Sequence, residues 1–279
     1  MSEPAWLDAD LLRDFPLPAL SSDGDKEDRG LALVIGGSPE VPGAIILAGN
    51  AALRAGAGKL QIVTDPQVAL AIGVAASGAR VIAGFEGCAA RASEAAAVVL
   101  GPGMDRAPCH DTLGELLESP AEVPLILDAA ALGCLSGFDA RVRGWPGGVA
   151  LLPHSREMSL LLECEPEEVE IDPLHAAQRA AERYGAVALV KGGVSVIAAP
   201  DGRSFRFKGG GVGLATSGSG DVLAGIVGGI AARGADALTA TLWGVYLHGE
   251  AGRALSIRIG KVGFLAHEIA NEVPALLGR

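Results

Sequence analysis

The sequence predicts an α/β protein of three layers, α/β/α, with a largely parallel central sheet covered by helices on both faces. Three observations predict it. Short, wholly apolar runs recur through residues 31–207, separated by stretches long enough to form helices. Unbroken apolar runs are the mark of strands buried on both faces, as parallel strands are. Strands that alternate with helices pair in parallel through crossover connections. Several of the runs also stop at glycine, aspartate, histidine or lysine, the residue types that line ligand sites at the carboxyl ends of strands.

The elements follow in order. Residues 1–30 form an N-terminal extension, with helical spacing at 8–13 and a charged loop at 21–29. Leu31–Ile35 is the first strand and ends at Gly36-Gly37-Ser38. Residues 44–55, carrying Ile45, Ile46, Leu53 and several alanines, are helical. Residues 60–63 form the next strand, and 98–100 another that ends at Gly101-Pro102-Gly103. Leu125–Leu127 ends at Asp128, residues 149–152 run into Pro153-His154, and Val187–Val190 ends at Lys191-Gly192-Gly193. Residues 194–198 and Ser204–Phe207 make a hairpin around Pro200-Asp201-Gly202. Residues 220–233, 235–255 and 263–277 carry apolar residues at helical spacing. No linker, low-complexity tract or internal repeat interrupts the order, so residues 1–279 read as one domain.

Composition narrows the function. The formal net charge of −11 opposes binding to DNA or RNA, where cationic side chains release counterions. Aromatics make up 4% of the chain, too few for base-stacking platforms. The longest apolar run, residues 222–232, is too short to span a bilayer, and the first twenty residues lack a basic start followed by an apolar stretch. Cys88, Cys109, Cys134 and Cys164 form no Cys-x-x-Cys unit and read as free thiols of a reducing cytoplasm. No histidine pair has zinc-site spacing.

The chemistry concentrates at the ends of strands. Gly218-Ser219-Gly220-Asp221 opens the helix that runs to residue 233. Its successive N–H groups and the helix dipole make an anion pocket. A carboxylate there can take a proton from a hydroxyl undergoing phosphorylation; the plainer reading is an aspartate in the first helical turn. Lys191 is either a point charge for a phosphate or a surface lysine at a turn. Asp128 either holds a magnesium ion or water or caps the short helix near Ala131. His154 reads by itself as a satisfied loop histidine, and His248 as packing or a helix–helix hydrogen bond. Gly36-Gly37-Ser38 lacks the Gly-Lys-Ser/Thr of a Walker A loop, and no strand leads into a complete Gly-x-Gly-x-x-Gly. No Gly-x-Ser-x-Gly elbow is present.

In this order the landmarks resemble the ADP-dependent (S)-NAD(P)H-hydrate dehydratases, of the ribokinase-like superfamily, over residues 31–277. They are Gly36-Gly37-Ser38; Gly43-Ala44 and the helix to Arg54-Ala55-Gly56-Ala57-Gly58; Gly101-Pro102-Gly103; Leu127-Asp128-Ala129; Pro153-His154 with Glu157-Met158; Val190-Lys191-Gly192; residues 216–225; and His248-Gly249-x-Ala251-Gly252. The resemblance implies a ribokinase-like fold and a repair reaction. ADP or ATP, with Mg2+, phosphorylates the hydroxyl of hydrated NADH or NADPH, and phosphate then leaves to restore the dihydronicotinamide. It implies that Asp221 is the base and that Ala44, Gly103, His154 and Asp221 contact the hydrated dinucleotide. Lys191, Gly192, Gly193, Val194, Ser195 and Gly220 are implied for the adenine nucleotide, and Gly218, Ser219 and Gly220 for the transferred phosphoryl group. No metal-ligating side chain is implied, and a homo-oligomer is. The sequence departs from the family pattern at Ala130, where an aspartate is usual, at Leu152, Ser155 and Arg156 around Pro153-His154, and at Ser217. An epimerase domain is not expected ahead of Gly30. The alternatives are a vitamin-precursor kinase of the same superfamily and a nucleotide-binding sensor.

Overall fold

The computed structural model describes residues 3–19 and 25–278. In chain order the strands and helices are β1 (Ala5–Trp6), β2 (Leu31–Ile35), α1 (Pro42–Arg54), β3 (Lys59–Thr64), α2 (Ala69–Ala75), β4 (Ala79–Ala83), α3 (Cys88–Glu94), β5 (Ala97–Leu100), α4 (Arg106–Glu118), β6 (Leu125–Leu127), α5 (Asp139–Arg143), β7 (Val149–Leu151), α6 (Ser155–Leu162), α7 (Pro166–Ile171), α8 (Pro173–Tyr184), β8 (Val187–Val190), β9 (Ser195–Ala198), β10 (Ser204–Phe207), α9 (Ser219–Ala232), α10 (Ala237–Arg258) and α11 (Ala266–Leu277). The strands form one sheet in the order β1-β10-β9-β8-β7-β6-β5-β2-β3-β4 among the described residues. All neighbours pair in parallel except at β9, which runs against β8 and β10.

Two cores flank the sheet because successive strand side chains point to opposite faces. Ala32, Val34, Val99 and Ile126 face α1, α9, α10 and α11. Leu33, Ile35, Val98, Leu100, Leu125 and Leu127 face α4, α6 and α8. The apolar runs read from the sequence are therefore strands used on both sides. On the first face, α1 and α9 meet backbone to backbone. A Cβ on Gly225 would lie 2.1 Å from the Ala48 carbonyl oxygen, and one on Gly229 2.3 Å from that of Ala52. Both glycines are thus required by close approach.

Several expectations change. The N-terminal extension is part of the sheet: β1 pairs with β10, Leu7 and Leu12 are buried, and the Trp243 indole donates to the Phe15 carbonyl at 2.8 Å. The helix expected at 8–13 is a 3₁₀ turn over Leu11–Asp14, preceded by Asp8, whose Oδ1 accepts from the N–H groups of Asp10 and Leu11. Of the loop expected at 21–29, residues 21–24 lie outside the described residues and 26–29 form a turn. Strand β4 went unread because it is an edge strand with no fully buried residue, and edge strands need no unbroken apolar run.

Candidate active site

The parallel strands deliver their predicted end residues to one edge of the sheet. From β8 through β7, β6 and β5 to β2, that edge carries Lys191, His154, Asp128, Gly101 and Gly36 side by side. A bridge between His154 and Lys191 continues the β7–β8 pairing, with the Lys191 N–H donating to Pro153 at 2.9 Å. The Gly37 N–H donates to the Pro102 carbonyl at 2.8 Å and so ties two of the glycine loops together. Gly103, in the left-handed region at φ 61°, completes that side. A Cβ there would stand 2.6 Å from the Val41 carbonyl oxygen and 2.7 Å from the Ala44 Cβ, so Ala44 and Gly103 touch.

Helix α9 meets this edge end-on. Gly218 is its N-cap at φ 84°, and the first-turn N–H groups have no partner within the helix; that of Ser219 donates back to the Thr216 carbonyl at 3.2 Å. A Cβ on Gly218 would lie 2.4 Å from Leu47 of α1 and 3.9 Å from Asp221 Oδ2. A Cβ on Gly220 would lie 3.6 Å from Lys191 Nζ and 3.9 Å from Asp128 Oδ2. The glycine loop, the lysine and two carboxylates therefore converge.

The electrostatics of that convergence are specific. Lys191 donates to Asp128 Oδ1 at 2.8 Å and stands 3.9 Å from Glu157 Oε2. Asp128 precedes a 3₁₀ turn at residues 129–134 but does not cap it with its side chain; it holds the lysine instead. Burial disfavours the Lys191 charge, yet Asp128, Glu157 and Asp221 more than offset this and raise its pKa. Burial, then the Asp128 charge, push the Asp221 carboxyl up to about 6; Lys191 opposes them and Glu157 adds to them. A carboxylate with that pKa is matched to general-base work near neutrality. His154 is the N-cap of α6. Its Nδ1 accepts from the Glu157 N–H at 3.2 Å, while Glu157 Oε2 accepts from the His154 N–H at 2.8 Å.

A cavity of about 990 Å³ opens beside the α9 N-terminus. His154, Lys191, Gly192, Gly193, Ser195, Ser219 and Gly220 line it, as do residues 207–212 and 214–216 and the α10 residues Val245, His248, Gly249, Arg253 and Ser256. Val194 stands on the same turn but outside the lining, with 38% of its surface exposed. Ala44, Gly103, Gly218 and Asp221 lie on the α1 side rather than in this lining. The sequence reading missed the wall formed by Lys208, Gly209, Gly210 and Gly211; the glycine run after β10 was its signal. Of the two readings of His248, the helix–helix hydrogen bond is the one the structure shows: its Nε2 on α10 lies 3.0 Å from Ser219 Oγ on α9, in the cavity wall.

A profile of the NAD(P)H-hydrate dehydratase family matches residues 32–275. An ADP-dependent (S)-NAD(P)H-hydrate dehydratase of Xanthomonas campestris is 45% identical over 280 residues, covering 96% of this chain and 94% of that protein. The ADP/ATP-dependent NAD(P)H-hydrate dehydratase of Bacillus subtilis, co-crystallized with ATP/Mg2+, superposes with a TM-score of 0.87 at 28% identity, covering 100% of this chain and 99% of that one. A ribokinase-like superfamily protein of Enterococcus faecalis superposes with a TM-score of 0.85 at 26% identity, covering 98% and 95% of the two chains. The fold is ribokinase-like, and the chain belongs to the NAD(P)H-hydrate dehydratase family.

Proposed function

We propose that this chain uses ADP or ATP to dehydrate (6S)-NADH hydrate and (6S)-NADPH hydrate, restoring NADH and NADPH. The observation that carries the reading is the Asp221 carboxylate, with its pKa raised to about 6, in the first turn of the helix that the glycine loop Gly218-Ser219-Gly220 opens, beside a nucleotide-sized cavity. Asp221 removes the proton from the ring hydroxyl as its oxygen attacks the terminal phosphoryl group of the nucleotide. The glycine-loop N–H groups hold the transferred phosphoryl oxygens, and AMP or ADP departs. Phosphate then leaves with loss of a ring hydrogen. Positioning and charge stabilisation suffice for such a transfer.

In this reading Ala44, Gly103 and His154 contact the hydrated dinucleotide. Residues 191–195 with Gly220 contact the adenine nucleotide. Lys191, already neutralised in part by Asp128, carries one phosphate. Among the described residues no three His, Cys, Asp or Glu side chains gather to hold a metal ion. Mg2+ fits through nucleotide phosphates together with one carboxylate oxygen, Asp128 Oδ2, because Lys191 occupies Oδ1. When bound there it would neutralise phosphate charge. No helix among the described residues is long and apolar enough to cross a membrane. We read the chain as one domain with residues 1–30 as an N-terminal extension, acting in the cytoplasm as a homo-oligomer.

The test is recovery of dihydronicotinamide absorbance from hydrated NADH by the purified protein with ADP or ATP and Mg2+. Nucleotide-dependent recovery is expected. A stable phosphorylated product would instead make it a kinase, and nucleotide binding without turnover a sensor.

A further inference from the structure

Ser219 is the first residue of α9, and His248 reaches it from the middle of α10. His248 Nε2 stands 3.0 Å from Ser219 Oγ and 3.1 Å from the Ser219 carbonyl oxygen. One ring nitrogen thus faces two oxygens, and their chemistry settles its proton. A carbonyl oxygen only accepts. A bare Nε2 would bring its lone pair against that oxygen at hydrogen-bond distance, so Nε2 carries the hydrogen. The same N–H then also points at Ser219 Oγ, which receives it through a lone pair. Its own hydrogen is left free to point away from the imidazole, into the cavity that Ser219, Gly220 and His248 line together.

The charge state is equally constrained. Burial, with help from the Lys191 charge and against the pull of the Ser219 carbonyl, lowers the His248 pKa to about 4. The ring is neutral at working pH, so it orients Ser219 without adding a second fixed positive charge beside Lys191.

We propose that His248 is a positioning residue for phosphoryl transfer: by donating from Nε2 to Ser219 it fixes the Ser219 hydroxyl as a hydrogen-bond donor to the transferred phosphoryl group. The proposal rests on the assignment of Gly218, Ser219 and Gly220 to that group. It adds a side-chain donor to the backbone donors of the loop, and it assigns a catalytic purpose to a residue otherwise readable as packing between α9 and α10. A donor aimed at developing charge acts in the chemical step more than in ground-state binding.

The test is a double-mutant cycle on the full chain with Ser219→Ala and His248→Leu, followed in the absorbance assay, with His248→Gln as rescue. Each single variant is expected to lose roughly 10²-fold in kcat, as for one oxyanion-hole donor, with KM for nucleotide little changed. The double variant is expected to be no slower than the slower single variant, because both remove one interaction. His248→Gln, whose amide can still donate, should recover most of the activity. Additive losses in the cycle, or wild-type kcat in His248→Leu, would overturn the proposal while leaving the dehydratase reading in place. A wild-type protein without turnover would overturn both. Nitrogen-15 spectra, with His248→Gln identifying the resonance, supply a measurement independent of turnover and of the folding of His248→Leu. They should show a neutral ring protonated at Nε2; protonation at Nδ1 would overturn the inference.

Discussion

The Asp221 carboxylate shares its surroundings with Asp128 and Glu157, and Lys191 is the counter-charge that keeps it ionisable near neutral pH. Its folded-state pKa lies above its unfolded value. Its contribution therefore favours folding below about pH 4 and is lost as pH rises through about 6. At about pH 7.5 the ionised form opposes folding. Asp221→Asn is accordingly expected to melt higher at that pH, by the equivalent of about 1–2 kcal/mol once partial exposure is allowed for. The same variant should lose roughly 10²–10⁴-fold in turnover. Thermal melts at about pH 7.5 and pH 4 check the sign, since the gain should shrink at the lower pH. A variant as active as wild type would remove Asp221 from the mechanism. Lys191 gives the complementary case. Lys191→Met leaves the Asp128 carboxylate, 3% exposed, without its partner, a change of roughly 3–5 kcal/mol against stability. It also removes the charge that lowers the Asp221 pKa, so the acid limb of the pH–rate profile should move above 6. A limb that stays in place would show that Lys191 acts on the nucleotide alone.

At the scale of elements, the site depends on how closely α9 approaches α1. Gly225 lies one helical turn beyond Asp221, and a Cβ there would strike the Ala48 carbonyl at 2.1 Å and the Ala51 Cβ at 2.8 Å. Backbone cannot step aside as a flexible side chain can. Gly225→Ala should cost about 2–3 kcal/mol, lowering Tm by several degrees, roughly 2–4 °C per kcal/mol in a domain near this size. Turnover should fall too, because Gly218 and Asp221 shift with the helix. A protein with unchanged Tm and activity would show that the two helices are not locked. The elements also show what the sequence made legible. Strands β2, β5, β6, β7 and β8 were readable because burial on both faces makes them wholly apolar. Helix α8 was not read: its buried face is Ala176, Ala177, Ala180, Ala181 and Tyr184, among charged residues that dilute the pattern. Strand β1 has two residues and exists through its pairing with β10. The glycine loops and Asp221 announced themselves locally. The Lys191–Asp128 pair, 63 residues apart, and Ser219–His248, 29 apart, are products of the topology that no local spacing encodes.

Across the whole molecule, the cavity joins regions far apart in the chain. Its lining runs from His154 at the end of β7, through the turn after β8 and the glycine run after β10, to Ser256 near the end of α10. A nucleotide seated there touches the sheet edge and two helices of the first core at once, so binding should be felt as stability of the entire fold rather than of one loop. A ligand that binds the folded state alone adds about 2.7 kcal/mol at a hundred times its Kd, which corresponds to a rise in Tm of roughly 5–10 °C. ADP with Mg2+ is expected to produce such a rise in wild type. Asp221→Asn should show the same rise, because its carboxyl group lies outside the cavity lining while its role is in the chemical step. Lys191→Met should show a smaller one, since Lys191 lines the cavity. Differential scanning fluorimetry across an ADP titration separates these cases. Equal shifts in all three proteins would place the phosphates away from Lys191, and a shift lost in Asp221→Asn would mean that this carboxylate binds nucleotide rather than activating the hydroxyl that attacks it.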